Sequence, residues 1–309
     1  MSKLDYNVEQ IVTGQLLAHH VIYLMQRGAL AIQAEHGLAQ DGKAGPETRA
    51  AIDKIVNPPV EPGPPAIVPL GKGMFIRTLT KAGTVKQVVD QMKQCGLSWV
   101  AIQRIWQYPG DVAFKPYNTN TLPDYAEALR DSGHEVWLWG YPESAPNKHQ
   151  EFVDELVGHA VKVNARGIIV DPEAPFIGKP DEAVMLMKLL RHAADTAGLG
   201  LGMTSYGAPW FHLTFPWNAF LSADFGMPQI YDANDNLGEE YPANAVAAWK
   251  KLGFKHIVPA SAAFNKGKEQ MTELLARTPA DSAVCWWDWY HCIQDSTRWD
   301  VVKAYSLGG

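Results

Sequence analysis

Hydrophobic and polar positions along this chain repeat in two registers. Short apolar runs lie at 74–79, 99–105, 135–139, 167–170, 200–205, 225–231, 256–260 and 283–289. Near-continuous apolar runs of this length are what a parallel strand covered on both faces requires. Between them lie stretches with helical spacing at 84–94, 122–132, 148–163, 181–197, 243–252 and 269–277, with a last one at 297–305. The stretch after the fifth strand, around 215–221, is short and weak as a helix. Gly96, Gly133, Gly198 and Gly253 stand where helical patterns stop, just before the next strand. Eight strands alternating with eight helical segments over about 240 residues predict a (β/α)8 barrel of the TIM type. A doubly wound sheet is the alternative, and the even spacing favours closure.

The pattern ahead of the barrel differs. Residues 1–55 are helical in pattern, with one turn-rich stretch from Asp41 to Pro46, and predict a small helical domain. Residues 56–69 open with five prolines in ten residues, at 58, 59, 62, 64 and 65, and predict a semi-rigid extended linker. All eleven tryptophans lie beyond it. The expected division is therefore 1–55, a linker over 56–69, and a barrel over 70–309.

Composition narrows the partners. A formal net charge of −6 over 309 residues leaves no basic footprint for nucleic acid and no reason for an anionic membrane surface. No run approaches the 18 or so apolar residues of a spanning helix, and the first residues lack the apolar core of a secretory signal. A monomer made in the cytoplasm is expected. Cys95, Cys285 and Cys292 read as buried thiols, with neither disulfide nor zinc spacing, so no metal or cofactor is expected.

The candidate chemistry sits in Gly167-Ile168-Ile169-Val170-Asp171-Pro172-Glu173. Alternate side chains of a strand share a face, so Asp171 and Glu173 point the same way, with Ile169 below them. Pro172 cannot donate to the ladder and marks the end of pairing. In a barrel of this kind chemistry belongs to the carboxyl ends of the strands. Those ends carry Arg77, then Gln103 with Trp106 and Tyr108, then Trp139 and Tyr141. Asp171 and Glu173 follow, then Ser205 and Tyr206 with Trp210. Gln229, Tyr231 and Asp232 come next, and Trp286, Asp288 and Tyr290 last. Aromatic faces with a few amides and acids suit a carbohydrate cleft. Plainer readings stand beside each: tryptophans as core, Asp288 as a satisfied structural acid, Asp232 as a turn former, and Arg77 as the partner of a barrel acid. Other chemistries lack their motifs. There is no Gly-x-Ser-x-Gly elbow and no Walker loop, and the Gly-Leu-Gly-Leu-Gly of 198–202 enters a strand rather than opening a helix.

Two resemblances follow from these residues. Asp41-Gly42-Lys43-Ala44-Gly45-Pro46-Glu47-Thr48, continued by Ala50-Ala51-Ile52, resembles the signature of the three-helix peptidoglycan-binding module. That resemblance implies wall binding through the element built on Asp41, Gly42, Gly45, Pro46 and Thr48. Asp171-Pro172-Glu173, with Gln229-Ile230-Tyr231, resembles the glycoside-hydrolase barrels of the family 25 lysozyme type, although Arg77 stands where their first strand ends in an acid. Together the two parts resemble a bacteriophage endolysin. Such a protein is made in the host cytoplasm and acts on the wall. The resemblance implies a muramidase with Glu173 as general acid. Asp171 is then a nucleophile or an electrostatic helper, with Arg77, Gln103, Trp139, Tyr141, Tyr206, Gln229, Tyr231, Asp232, Trp286 and Asp288 holding substrate. Acids one residue apart on a strand, with Cβ atoms about 6.5–7 Å apart, fit retaining or inverting outcomes. Assistance by the substrate's own N-acetyl group, with Asp171 orienting the amide and Tyr231 or Asp232 helping, is a third route. A barrel that grips glycan without cutting it is the alternative function.

Overall fold

The computed structural model describes residues 24, 27–56, 65–107, 115–231 and 237–307. The chain divides into two compact units, Met1–Pro65 and Ala66–Gly309.

In the first unit, helices α1 (Ala29–Glu35) and α2 (Pro46–Val56) pack through Ile32, Ala51 and Ile52. Any further helix expected before them falls outside the described residues. The turn between them is tied to one buried amide. Gln33 Nε2 donates to Asp41 Oδ1 (2.8 Å), to the Lys43 carbonyl (2.9 Å) and to Thr48 Oγ1 (3.1 Å). Gln33 Oε1 accepts from the Gly42 amide (2.9 Å). Gly42 sits at φ 71°, in the left-handed region that glycine tolerates, whereas Gly45 does not adopt positive φ. Pro46 opens α2, where its missing N–H costs nothing. Asp41, Gly42 and Thr48 thus close a turn around Gln33.

The second unit is a closed (β/α)8 barrel. Its strands are β1 (Gly71–Ile76), β2 (Leu97–Trp106), β4 (Glu135–Tyr141), β5 (Gly167–Val170), β6 (Gly200–Tyr206), β7 (Phe225–Ile230), β8 (Ala260–Ala262) and β9 (Ala283–Trp287), with a short extra strand β3 (Lys115–Pro116). Around the barrel the order is β1-β9-β8-β7-β6-β5-β4-β2, every pairing is parallel, and β1 pairing with β2 closes the ring. Only β3 is antiparallel, folded back on the end of β2. The helices are α3 (Leu79–Ala82), α4 (Val85–Cys95), α5 (Leu122–Asp131), α6 (Pro146–Lys162), α7 (Pro180–Ala197), α8 (Tyr241–Leu252), α9 (Lys268–Ala276), α10 (Trp289–Gln294) and α11 (Thr297–Ala304). After β6 two single 3-10 turns, Pro209–Phe211 and Trp217–Phe220, replace a helix.

Among the strands that depart from their expected bounds, three have an identifiable local cause. β1 starts earlier because Lys72 reaches the last helix, donating to the carbonyls of Val302 (2.8 Å) and Tyr305 (3.1 Å), and Leu79 turns into α3 instead. β8 starts later, since Pro259 has no N–H for the ladder and residues before it keep only the Gly226–Ile257 bridge. β9 stops at Trp287 because Asp288 caps α10, accepting from the His291 amide (3.2 Å).

Side-chain parity along the strands sorts the core into two. Phe75, Trp99, Trp137, Trp139, Ile169, Phe225, Met227 and Cys285 fill the barrel interior. Their neighbours in sequence, such as Met74, Val100, Leu138, Ile168 and Val170, face the helices. Gly167 and Gly200 leave the space that the Trp137 ring occupies, as a methyl at either would lie 2.2 Å and 2.6 Å from it. Burying one such ring, with about 200 Å² removed from water at ~25 cal/mol/Å², contributes about 5 kcal/mol. The interior is therefore packed shut below, and the open space lies at the carboxyl ends of the strands.

Candidate active site

The apolar run of β5 ends at Val170, and the chain leaves the ladder through Pro172, whose carbonyl accepts from Ser205 Oγ (2.6 Å). The Asp171 amide is still held by the Gly140 carbonyl of β4 (2.9 Å). With Ile169 in the barrel interior, parity carries Asp171 and Glu173 over the same interior axis. A turn from Ala174 to Phe176 follows at once, closed by the Phe176 amide on the Glu173 carbonyl (2.9 Å).

Gln229 joins the two acids. It follows the inward-facing Phe225 and Met227 on β7 at period two. Its Nε2 donates to Asp171 Oδ1 (2.9 Å) and to Glu173 Oε1 (3.1 Å). Asp171 is buried, with 6% of its surface exposed, whereas Glu173 is half-buried and keeps part of its surface open. Burial pushes the Asp171 carboxyl well above its ordinary range, and the neighbouring Glu173 charge and a hydrogen bond with Glu173 add to it. Burial also raises Glu173, opposed by the hydrogen bonds from Gln229 and Asp171. The physical content is a carboxyl pair that holds a proton where lone carboxylates have lost theirs.

Three phenols stand around the pair. Tyr141 is raised above the ordinary phenol range by burial and then by the Glu173 and Asp171 charges. Tyr206 is pushed up to about 12 by the same causes, and Tyr231 is raised by burial and then by Asp171. All three stay protonated as O–H donors. Each is braced by a ring. Tyr141 stacks on Trp106 (4.4 Å, 8°), Tyr206 on His212 (3.6 Å, 6°), and Tyr231 meets the edge of Phe264 (5.3 Å). The Arg77 guanidinium lies over Trp106, 5.1 Å from its centroid.

The other expected ligands scatter. Gln103 faces inward ahead of a bulge between Gln103 and Ile105, is fully buried, and its amide has no hydrogen-bond partner. Trp139 lies beneath the floor, fully buried among Phe75, Trp106 and Trp287. Trp286 does not face the mouth. Parity turns it outward into the strand–helix layer against Tyr305 (5.8 Å), and Trp287 takes the inward position. Asp288 is buried and spent as the cap of α10, with Oδ1 2.6 Å from His291 Nδ1, which fits the structural reading. Arg77 is held by a ring rather than by a barrel acid. Asp232 and Tyr108 lie outside the described residues. Among the described residues no group of three or more His, Cys, Asp or Glu is placed to hold a metal, and no helix is long and apolar enough to cross a membrane.

No protein-family profile matches the sequence, and no curated protein matches it. Solved structures do match in fold. A GH18 chitinase from Pseudoalteromonas aurantia is 11% identical, with a TM-score of 0.56 over 76% of this chain and 98% of its own. The spore cortex-lytic enzyme SleL of Bacillus cereus is 10% identical, with a TM-score of 0.55 over 77% of this chain and 75% of its own. A xylanase-alpha-amylase inhibitor protein solved with trehalose is 11% identical, with a TM-score of 0.55 over 76% of this chain and 98% of its own. The likeness establishes the TIM-type barrel. It spans proteins described as enzymes and one described as an inhibitor, so the chemistry has to be argued from the side chains.

Sequence reasoning placed Trp106 among the strand-end aromatics without naming it as a substrate residue, and it named Trp286, which faces the helices, rather than Trp287, which faces inward. Counting parity from Cys285 in an apolar interior would have found Trp287. Nothing local signals the ring contacts of His212 and Phe264, which come from other loops.

Proposed function

We propose that the barrel is a glycoside hydrolase that cuts bacterial cell-wall glycan, with Glu173 as general acid and Asp171 as its positioning partner. One observation carries this reading. A single amide, Gln229, clamps two raised carboxyls at the carboxyl end of β5, one buried and one partly open. Holding two acids so close is costly for a protein that only binds, and it is the arrangement that acid catalysis at neutral pH requires.

The unequal burial favours one route among three. A carboxylate as buried as Asp171 is poorly placed to attack an anomeric carbon, so the 2-acetamido group of the substrate serves as nucleophile. Glu173 gives its proton to the leaving glycosidic oxygen while the acetamido oxygen attacks. Asp171 and the Tyr231 hydroxyl orient the acetamido group. Glu173, now a carboxylate, takes a proton from the water that opens the cyclic intermediate, and configuration is retained. Both sugars of peptidoglycan carry the acetamido group. Cleavage after N-acetylmuramic acid is the reading that the lysozyme-like step of Asp171 and Glu173 supports. The small unit would tether the barrel to the wall and raise the local substrate concentration.

The test is Glu173→Gln. Release of reducing ends from purified walls should drop by about 10²–10⁴-fold while the protein stays folded. Lysis at the parent rate would remove Glu173 from the mechanism. Mass spectrometry of the products assigns the bond: a new muramic acid end marks a muramidase, a glucosamine end a glucosaminidase. No new ends from the parent protein would leave the glycan-gripping reading instead.

A further inference from the structure

A cavity of ≈ 510 Å³ opens on the rim between the ends of β1 and β9, beside the acid pair rather than over it. Its wall includes Arg77, Lys81, Trp287, Asp288, Tyr290 and His291. Two cations therefore border it, and among the described residues neither meets a carboxylate. Arg77 lies over Trp106 at 5.1 Å, and Lys81 over Tyr290 at 5.5 Å. Asp288, the acid in the wall, is buried and turned to the His291 amide and ring. Among the described residues the cavity offers two positive charges without an acid partner and no free negative one.

The walls are fixed in advance. Asn118 Nδ2 donates to the carbonyls of Arg77 (3.1 Å) and Gln103 (2.9 Å), while its Oδ1 accepts from the Leu79 amide (2.9 Å). Trp289 Nε1 donates to the Ala82 carbonyl (3.1 Å), locking α10 against α3. A track of rings joins the cavity to the acids. Tyr141, which feels both acid charges, stacks on Trp106, and Trp106 carries Arg77. Trp287 lines the cavity and meets the central Trp139 (5.3 Å).

We infer that this rim cavity is a subsite for a carboxylate carried by the glycan, so that the enzyme prefers an acidic glycan to a neutral one. The inference rests on the glycan reading of the mouth and deepens it. A sugar lying along the edges of Tyr141 and Trp106, whose facing rings are taken up by each other and by Arg77, would present its substituents to Arg77 and Lys81, which gain most from an anion. In wall glycan the anion is either the lactyl carboxylate of muramic acid or a carboxylate of its peptide.

The experiment separates this from catalysis by measuring binding. The full chain carrying Glu173→Gln, which is expected to turn over about 10²–10⁴-fold more slowly, is titrated calorimetrically with four glycans. These are a neutral N-acetylglucosamine oligomer, a peptide-free muramic acid glycan, the same glycan with peptides, and the peptide-free glycan with carboxyls amidated. The expected result is about tenfold tighter binding of the carboxylated glycan than of its amidated form, a ratio that shrinks with added salt. Adding Arg77→Gln and Lys81→Met should erase the ratio, and Arg77→Lys with Lys81→Arg should restore most of it. Lactyl recognition predicts the full ratio within the peptide-free pair, and peptide recognition predicts equal binding of that pair with tighter binding of the peptide-bearing glycan alone. The inference is overturned if the peptide-free glycan binds no tighter than its amidated form and the peptide-bearing glycan binds no tighter than the neutral oligomer, or if none of them binds. Reducing ends released by the parent protein from the neutral oligomer test the hydrolase reading separately.

Discussion

Replacing Gln229 by leucine would remove the clamp while keeping the side chain close in size. Gln229 Nε2 makes two hydrogen bonds, 2.9 Å to Asp171 and 3.1 Å to Glu173. A hydrogen bond to a charged group contributes about 1.5–3 kcal/mol. The fold loses less than two such bonds, because the acids answer the loss by keeping protons, and the expected cost is about 1–3 kcal/mol of stability. The rate loses more. Glu173 is no longer held at the leaving oxygen, and one charged hydrogen bond at the transition state is worth about 10–150-fold in kcat. The pH profile moves as well. Gln229 lowers both carboxyls, so its loss shifts both limbs of the bell to higher pH. The assay is the initial rate of reducing-end release from walls across pH 4–9, with thermal melts alongside. An unchanged kcat with unmoved limbs in a folded Gln229→Leu protein would refute the clamp.

Other expectations follow from the same structure. Asp171→Asn should abolish activity yet stabilise the protein. The raised carboxyl keeps a proton in the native state that the unfolded chain releases, so the parent loses stability as pH rises from the ordinary carboxylate range through the raised native value. Melts at pH 3 and pH 8 check this. The variant should melt above the parent at pH 8 and near it at pH 3, and a lower Tm at pH 8 counts against the argument. Trp106→Ala removes the plate under Tyr141 and Arg77, and should raise KM about 3–10-fold with kcat nearly unchanged. Equal loss in kcat would place Trp106 in the chemistry. Arg104→Met should lower stability by about 2–4 kcal/mol, read as a drop in Tm, since buried Arg104 pairs with Glu155 and donates to the Tyr117 carbonyl (2.6 Å) and Thr119 Oγ1 (3.0 Å). A Tm within a degree of the parent would show that pair to be idle.

Much of this molecule was legible along the chain. Hydrophobic periodicity, glycine stops and the Pro172 break are local consequences of backbone sterics and burial. They were enough to announce eight strand–helix units and two acids on one face of the fourth barrel strand. Parity along a strand is equally local, and it put Gln229 and Tyr231 over the same interior.

The rest depends on closure of the ring. Only when β5, β6 and β7 lie side by side does Gln229, 58 positions from Asp171, arrive within hydrogen-bond distance of it. Parity along β9 pairs Trp287 with Cys285, but that this face is the interior one follows from the packing of β9 between β1 and β8, and the Asp288 carboxyl is committed by the helix that starts after it. Raised carboxyls are a property of a dry, shared environment, so no stretch of sequence contains them. Local patterns select the elements because their causes lie within a few residues. The site is decided by tertiary structure because its charges, rings and cavity come from strands that meet only when the barrel shuts.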